Sequence, residues 1–421
     1  MNDCKILLII PHQDDEIHIA GSLIASMKNT NNVYVLYTTN GDFIFNAKYR
    51  YKEALKSLKT LGNIKKEHVF FLGYSDQAYD QKSHMYNDDE DWISPKGIKE
   101  TYAPEGFEEW NYYKYKKHCK FNKKNFTRNI KEVIEYLKPD IIICNDLDFH
   151  PDHIMTSLCC EKAIGEILNK ENNEYYPIVL KTFSYENSYF GKKNFLNQQN
   201  YEMNFNYDKN GNIESNPYYN CNNKIDISIN KKCYTKNLFE NIIYKASKAH
   251  KSQVLVGHID SMINANIVYW ERNTENLLNK ANIMVSSGNA NYLKDFILAD
   301  TKNVLNGNKT KIQYDEGIWI PSKDDTKREI DITLNKEQYV SLIKIYNGRK
   351  NKKTIQNIEI QYNNKKITIK LLEQYVNNIH INEKIKKIKI KILDSNIENG
   401  FSEIEILERE KERKKERKRY Y

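Results

Sequence analysis

Apolar positions along this chain follow two rhythms. In the first part, short continuous runs alternate with helical spacing. Ile6–Ile10, Val33–Tyr37, Val69–Leu72 and Ile141–Cys144 have the length and continuity of strands buried on both faces. Between them Ile17, Ala20, Leu23, Ile24 and Met27 recur at helical spacing. Ala47 to Leu61 predicts a helix closed by Gly62 at its C′ position, and Phe126 to Leu137 a helix that Pro139 ends. This alternation predicts an α/β fold with a parallel sheet and helices on both faces.

The second rhythm begins after about residue 275. Ile330, Ile332 and Leu334 alternate with Asp331 and Thr333; Ile388, Ile390 and Ile392 alternate with lysines; Ile404 and Ile406 alternate with Glu403 and Glu405. Ile343 and Ile345, and Ile358 and Ile360, keep the same step. Period two with one wet face predicts short antiparallel strands. The expectation is a Rossmann-like unit over 1–275, an antiparallel β-sandwich over 276–407 and a charged tail over 408–421. Residues 77–125 keep neither rhythm. They hold the acidic run Asp88–Asp91 and the aromatics Trp92, Tyr102 and Trp110. A stretch this long is either an insertion that walls a substrate cleft or a solvated excursion.

Composition changes the picture in two ways. The 421 residues carry a formal charge of +9, which raises nucleic acid as a partner. Glu408 to Arg419 alone hold +4 of it, so the body carries +5, too little for a nucleic-acid-binding body. The tail has no apolar face, so stable membrane insertion is not expected. Seven cysteines without a Cys-x-x-Cys pair argue against a disulfide framework or a thiolate zinc site, and for a reducing compartment. The first apolar run is too short for a signal segment or a span, so the expected location is cytoplasmic.

The candidate chemistry lies in two clusters. Pro11-His12-Gln13-Asp14-Asp15-Glu16 directly follows the first strand, and Asp148-Phe149-His150-Pro151-Asp152-His153 follows the strand Ile141–Cys144. Ligands of open α/β sheets bind beyond the carboxyl ends of the strands, so the clusters can share one crevice. His and carboxylate ligands suit zinc, and a catalytic site uses three of them plus water. His12, Asp15 and His153 can be those three, with Asp14 taking a proton and His150 meeting an oxyanion. Read alone, Asp14 and Asp15 can equally cap a helix N-terminus.

With these residues the chain resembles the PIG-L/LmbE-like zinc deacetylases. The family's first motif, Pro-His-Pro-Asp-Asp-Glu, is matched by Pro11–Glu16 with Gln13 in place of proline. Its second, His-x-Asp-His, is matched by His150–His153. Carried over by position, the resemblance implies zinc ligands His12, Asp15 and His153, with Asp14 as general base and His150 as stabiliser of the tetrahedral intermediate. Arg50-x-x-Glu53, Leu72-Gly73 through Asp76, and His250-Lys251-Ser252-Gln253 extend the similarity to about residue 255. They imply that Arg50 and Asp76 bind substrate. Ser286-Ser287, Trp319 and the run Ile388–Ile392 more weakly resemble galactose-binding-like (discoidin-type) sandwiches, which often bind glycans.

The implied activity is removal of N-acetyl groups from an amino sugar or glycoconjugate, with Zn2+ or another divalent ion such as Fe2+. Two alternatives remain: hydrolysis of a non-sugar amide, and glycan binding by the sandwich beside an idle hydrolase domain.

Overall fold

The computed structural model describes residues 4–77, 85, 91–148, 150–185, 202–203, 205–253, 259–298, 304–306, 310–312, 317–348, 353–395 and 398–408. The expectations for Asp88–Glu90, Phe149 and the tail beyond residue 408 lie outside them. The chain divides into two units. One comprises Met1–Ala163, Pro177–Arg272 and Leu305–Ile312; the other Ile164–Tyr176, Asn273–Val304 and Gln313–Tyr421.

The first unit is built on a seven-stranded sheet. Strands β1 (Ile6–Ile10), β2 (Val33–Thr39), β3 (Val69–Tyr74), β4 (Ile141–Asn145) and β5 (Ile178–Thr182) run parallel in the order β3-β2-β1-β4-β5. Strands β6 (Ile225–Ser228) and β7 (Asn266–Arg272) continue it antiparallel, β7 beside β5 and β6 at the edge. The five residues of β1 are at most 2% exposed, which is why they read as one unbroken apolar run. Strand order reverses around β1, whose neighbours are β2 and β4. Ile9 pairs in register with Cys144, so the segments leaving β1 and β4 emerge side by side. That is the switch point where open α/β sheets form their ligand crevice.

The helices depart from expectation in two informative places. The first begins as a π turn, Ile17–Gly21, before α1 (Ser22–Ser26). Such wide turns recur at functional sites. Helix α2 (Ala47–Gly62) starts with the Asn46 side chain accepting from the Lys48 N–H. It ends on Asn63, at φ 55°, rather than on a left-handed Gly62. Asparagine tolerates that conformation. Gly62 serves packing instead, since a Cβ there would sit 2.7 Å from Ile24 Cγ2. Helices α3 (Trp110–Tyr115), α4 (Lys123–Leu137) and α5 (Pro151–Leu168) complete the set that frames the site.

The second unit holds an antiparallel sheet. Its strands are β8 (Asn282–Val285), β11 (Glu329–Asn347), β12 (Asn357–Tyr362), β13 (Lys365–Lys370), β14 (Val376–Ile392) and β15 (Phe401–Leu407). A separate two-stranded ladder, which belongs to the first unit from Leu305 on, joins β9 (Val304–Asn306) to β10 (Thr310–Ile312). The order is β13-β12-β14-β11-β15, with β8 also on β11. Strand β11 pairs with β14 through two register shifts. Its start takes β8 as second partner and its end takes β15. Long strands that change partners across irregularities are how one ladder serves both layers of a sandwich.

The alternating isoleucines Ile330, Ile332, Ile358, Ile360, Ile388 and Ile390 form the core. The wet face is charge-paired: Lys389 meets Glu329 at 2.9 Å and Asp331 at 3.2 Å, and Lys366 meets Glu359 at 2.8 Å. Strand β15 breaks the pattern, because Glu403 and Glu405 are each 3% exposed. Glu403 accepts from the Phe296 N–H and Glu405 from the Tyr346 hydroxyl, so their face is covered rather than wet.

Candidate functional site

Both clusters emerge at the carboxyl ends of β1 and β4. His12 Nδ1, Asp15 Oδ2 and His153 Nε2 stand 3.2, 3.3 and 3.3 Å from one another. The opposite nitrogen of each ring is bound to a carboxylate: His12 Nε2 lies 3.0 Å from Asp152 Oδ2, and His153 Nδ1 lies 2.8 Å from Asp148 Oδ2. With a proton held on each outer nitrogen, the inner nitrogens face Asp15 and can offer lone pairs to an ion that displaces their second proton. Ser184 Oγ donates to the other oxygen of Asp15 at 2.8 Å, and the His12 N–H donates to Asp15 Oδ2 at 2.9 Å.

All three groups are buried: His12 is 4% exposed, Asp15 2% and His153 0%. Burial opposes charge on each, yet the neighbours win. Asp15 and Asp152 hold His12 well above the usual imidazole value. Asp148 and Asp15 push His153 up to about 10, and the two imidazoles hold Asp15 well below the carboxylate range. The pocket thus favours positive charge at its centre.

The donor set fits a divalent ion. Ligand atoms about 2.0–2.2 Å from a tetrahedral ion stand roughly 3.3–3.6 Å apart, close to the spacing here. The two flanking carboxylates match the outer partners that metal-bound histidines ordinarily have. His12, His150 and His153, and separately His12, Asp76 and Asp152, also have ligand atoms within 4.8 Å of one another.

Asp14 stands outside the triangle. Its side chain is 20% exposed and its Oδ1 accepts from Arg50 Nη2 at 3.2 Å. His150 rings His12, with centroids 4.6 Å apart. Its Nδ1 accepts from the Asp152 N–H at 3.2 Å at the start of α5, which leaves the proton on Nε2. Burial, then the charges of His12 and His153, lower its pKa well below the usual value, so it is a neutral donor.

Arg50, on α2, is buried and binds the Gly41 and Gln13 carbonyls, Asp14 and Gln253. Gly41 permits this: at φ 63° it has no Cβ, and one there would lie 2.4 Å from Gln13 Oε1 and 2.6 Å from Arg50 Nε. Glu53 accepts from the Ser252 N–H and hydroxyl at 3.0 and 2.6 Å, so the two supporting motifs grip each other. His250 is structural: its Nε2 lies 2.7 Å from Glu16 Oε1. Asp76 is buried 3.9 Å from Arg50.

Reading the sequence left three residues of this site without a role. Asp148 and Asp152 lay in the quoted cluster, and the habit of metal-binding imidazoles to bond a carboxylate was the signal that could have assigned them. Ser184, from beyond β5, left no signal in the sequence. Asp148→Asn is expected to lower metal affinity about 10–100-fold without unfolding the chain, because it frees the orientation of His153. A competition titration with a chromophoric chelator reads this; unchanged affinity removes Asp148 from the site.

Residues 7–164 match the family profile described as PIG-L: GlcNAc-PI de-N-acetylase. Solved structures are similar over the C-terminal region. A fucose-binding module of Streptococcus pneumoniae is 20% identical, covering 32% of this chain and 95% of that one, with a TM-score of 0.26. The lectin domain of lectinolysin is 14% identical over 32% and 99%, with a TM-score of 0.27. The family 32 carbohydrate-binding module of S. pneumoniae EndoD is 9% identical over 32% and 100%, with a TM-score of 0.25. No curated protein matches the sequence. Among the described residues no helix is long and apolar enough to cross a membrane.

Proposed function

We propose that this chain, which carries a PIG-L domain over residues 7–164, is a zinc-dependent hydrolase that removes N-acetyl groups from an amino sugar or glycoconjugate. The observation that supports it best is the buried triangle of His12 Nδ1, Asp15 Oδ2 and His153 Nε2, 3.2–3.3 Å on a side, with Asp152 and Asp148 behind the imidazoles. His12, Asp15 and His153 would hold the ion. Bound there, zinc supplies acidified water and polarisation of the amide carbonyl.

The chain's own residues do the rest. Asp14 accepts the proton of the attacking water and passes it to the departing amine, so acetate and a free amine result. Arg50 holds the Asp14 carboxylate in place. His150 donates from Nε2 to the oxygen that gains charge as the carbonyl becomes tetrahedral. Arg50 and Asp76 contact the sugar. Residues 1–275 form the catalytic domain in this reading, and the sandwich over 276–407 contacts glycan.

The test is acetate release from a panel of N-acetylated amino sugars and N-acetylated alkylamines by zinc-loaded protein. Release from the sugars is expected, lost on chelation and regained with Zn2+. Release from the alkylamines alone would favour a non-sugar amidase. No release from any substrate would overturn the reading.

A further inference from the structure

The chain that leaves β3 returns to the carboxyl edge of the sheet at two points. The Tyr102 N–H donates to the Gly73 carbonyl at 3.0 Å, where a Cβ on Gly73, at φ 79°, would sit 2.5 Å from the Tyr102 oxygen. The other return is earlier in the chain and lies against the carboxylate behind His12: the Met85 N–H donates to Gln77 Oε1 at 2.9 Å. Gln77 stands three residues past the end of β3 and is 2% exposed, and Met85 is fully buried.

The rest of Gln77 is turned to α5. Its Nε2 donates to Asp152 Oδ1 at 3.1 Å and to Met155 Sδ at 3.2 Å, and its backbone N–H donates to Asp152 Oδ2 at 3.2 Å. The partners fix which way the amide points. A backbone N–H can only donate and an ionised carboxylate can only accept, so the oxygen faces Met85 and the nitrogen faces Asp152. One side chain thus joins the end of β3, the excursion at Met85 and the first turn of α5, whose Asp152 lies 75 residues away.

Asp152 depends on this partner. It is 0% exposed, so bulk water does not reach it. Its Oδ2 is shared between His12 Nε2 at 3.0 Å and the Gln77 N–H, while Oδ1 has, among the described residues, Gln77 Nε2 alone. A second carboxylate, that of Asp76, has an oxygen within 4.8 Å of an Asp152 oxygen and of a His12 nitrogen, and repels the Asp152 charge. Without the Nε2 donor, Oδ1 is a buried acceptor left unmade, and the carboxylate relieves that only by turning from its place. Turning takes Oδ2 away from His12 Nε2, and with it goes the aim of His12 Nδ1 at the triangle.

We propose that Gln77 is a positioning residue of the metal centre: it acts through Asp152 to hold His12 in the orientation that presents Nδ1 to the ion. For metal affinity this rests only on the triangle of His12, Asp15 and His153 binding an ion; for turnover it rests on the deacetylase reading. The experiment is titration of the full chain with Zn2+ against a chromophoric chelator, for wild type, Gln77→Met, Asp152→Asn and the double variant. Methionine keeps the length of the side chain and removes the donor. Gln77→Ala, which keeps the backbone N–H on Asp152, is the second variant and is treated in the same way. Each change at 77 should weaken Zn2+ binding about 10-fold, the low end for partners behind a metal ligand, and Asp152→Asn about 10–100-fold. The double variants should bind no more weakly than Asp152→Asn alone, since Gln77 then has no carboxylate to hold. Wild-type affinity in both Gln77 variants, or losses that multiply in the double variants as two unrelated defects would, overturns the proposal. No Zn2+ binding by wild type overturns it together with the metal centre. The expected pattern without acetate release from zinc-loaded protein overturns the deacetylase reading and leaves Gln77 in its role.

Discussion

Asp14→Asn is expected to lower kcat by about 10²–10⁴ while metal content stays at the wild-type level. The separation follows from position. Asp14 is not one of the three atoms that stand 3.2–3.3 Å apart, and its Oδ1 is engaged by Arg50. An amide in its place keeps that contact through its oxygen and cannot take a proton. His153→Ala should behave oppositely, losing metal first and activity with it, since it removes one of the three donors and leaves Asp148 without its imidazole. Metal analysis by mass spectrometry beside initial rates distinguishes the two. Asp14→Asn protein that retains metal and full kcat would show that another group carries the proton.

Glu16→Ala is expected to cost about 3–5 kcal/mol of stability, the usual penalty for breaking a buried ion pair by removing one partner. Glu16 is fully buried, lies 2.7 Å from His250 Nε2 and accepts from the Tyr37 hydroxyl at 2.9 Å. Burial opposes ionisation of both groups, yet the pairing holds the Glu16 pKa below its usual value and the His250 pKa above. Alanine leaves His250 without its carboxylate and the Tyr37 hydroxyl without an acceptor. The damage should reach the site, because the 250–253 segment supplies Gln253 to Arg50 and Ser252 to Glu53. Urea unfolding of the unit followed by tryptophan fluorescence measures this. A change under 1 kcal/mol would mean that His250 simply deprotonates and repacks.

Much of the first unit was legible in one dimension. Continuous apolar runs such as Ile6–Ile10 mark strands covered on both faces, and His/Asp clusters just past two of them mark a crevice. The mixed end of the sheet was not legible. Strand β6 alternates only over Ile225–Ser228, and β7 lies far along the chain from its partner β5. The wet-face reading of Glu403 and Glu405 failed for a related reason: period two reports that a strand has two faces, and what covers the second face comes from elsewhere in the chain.

By itself, then, the sequence determined which residues are the candidates for the proposed chemistry: His12, Asp14, Asp15, His150 and His153, carried after buried strands. Local spacing suffices for that, because each cluster is six residues long and each strand declares its own burial. Only the tertiary structure decided what those residues face. Register between β1 and β4 sets the 3.2 Å approach of His12 to His153 across 141 positions. The return of the 91–121 excursion sets the Tyr102 N–H on the Gly73 carbonyl, and the 250–253 segment closes on Arg50. These are contacts between residues far apart in the chain, made by packing and by the absence of a Cβ at Gly41 and Gly73, and no periodicity in the sequence records them.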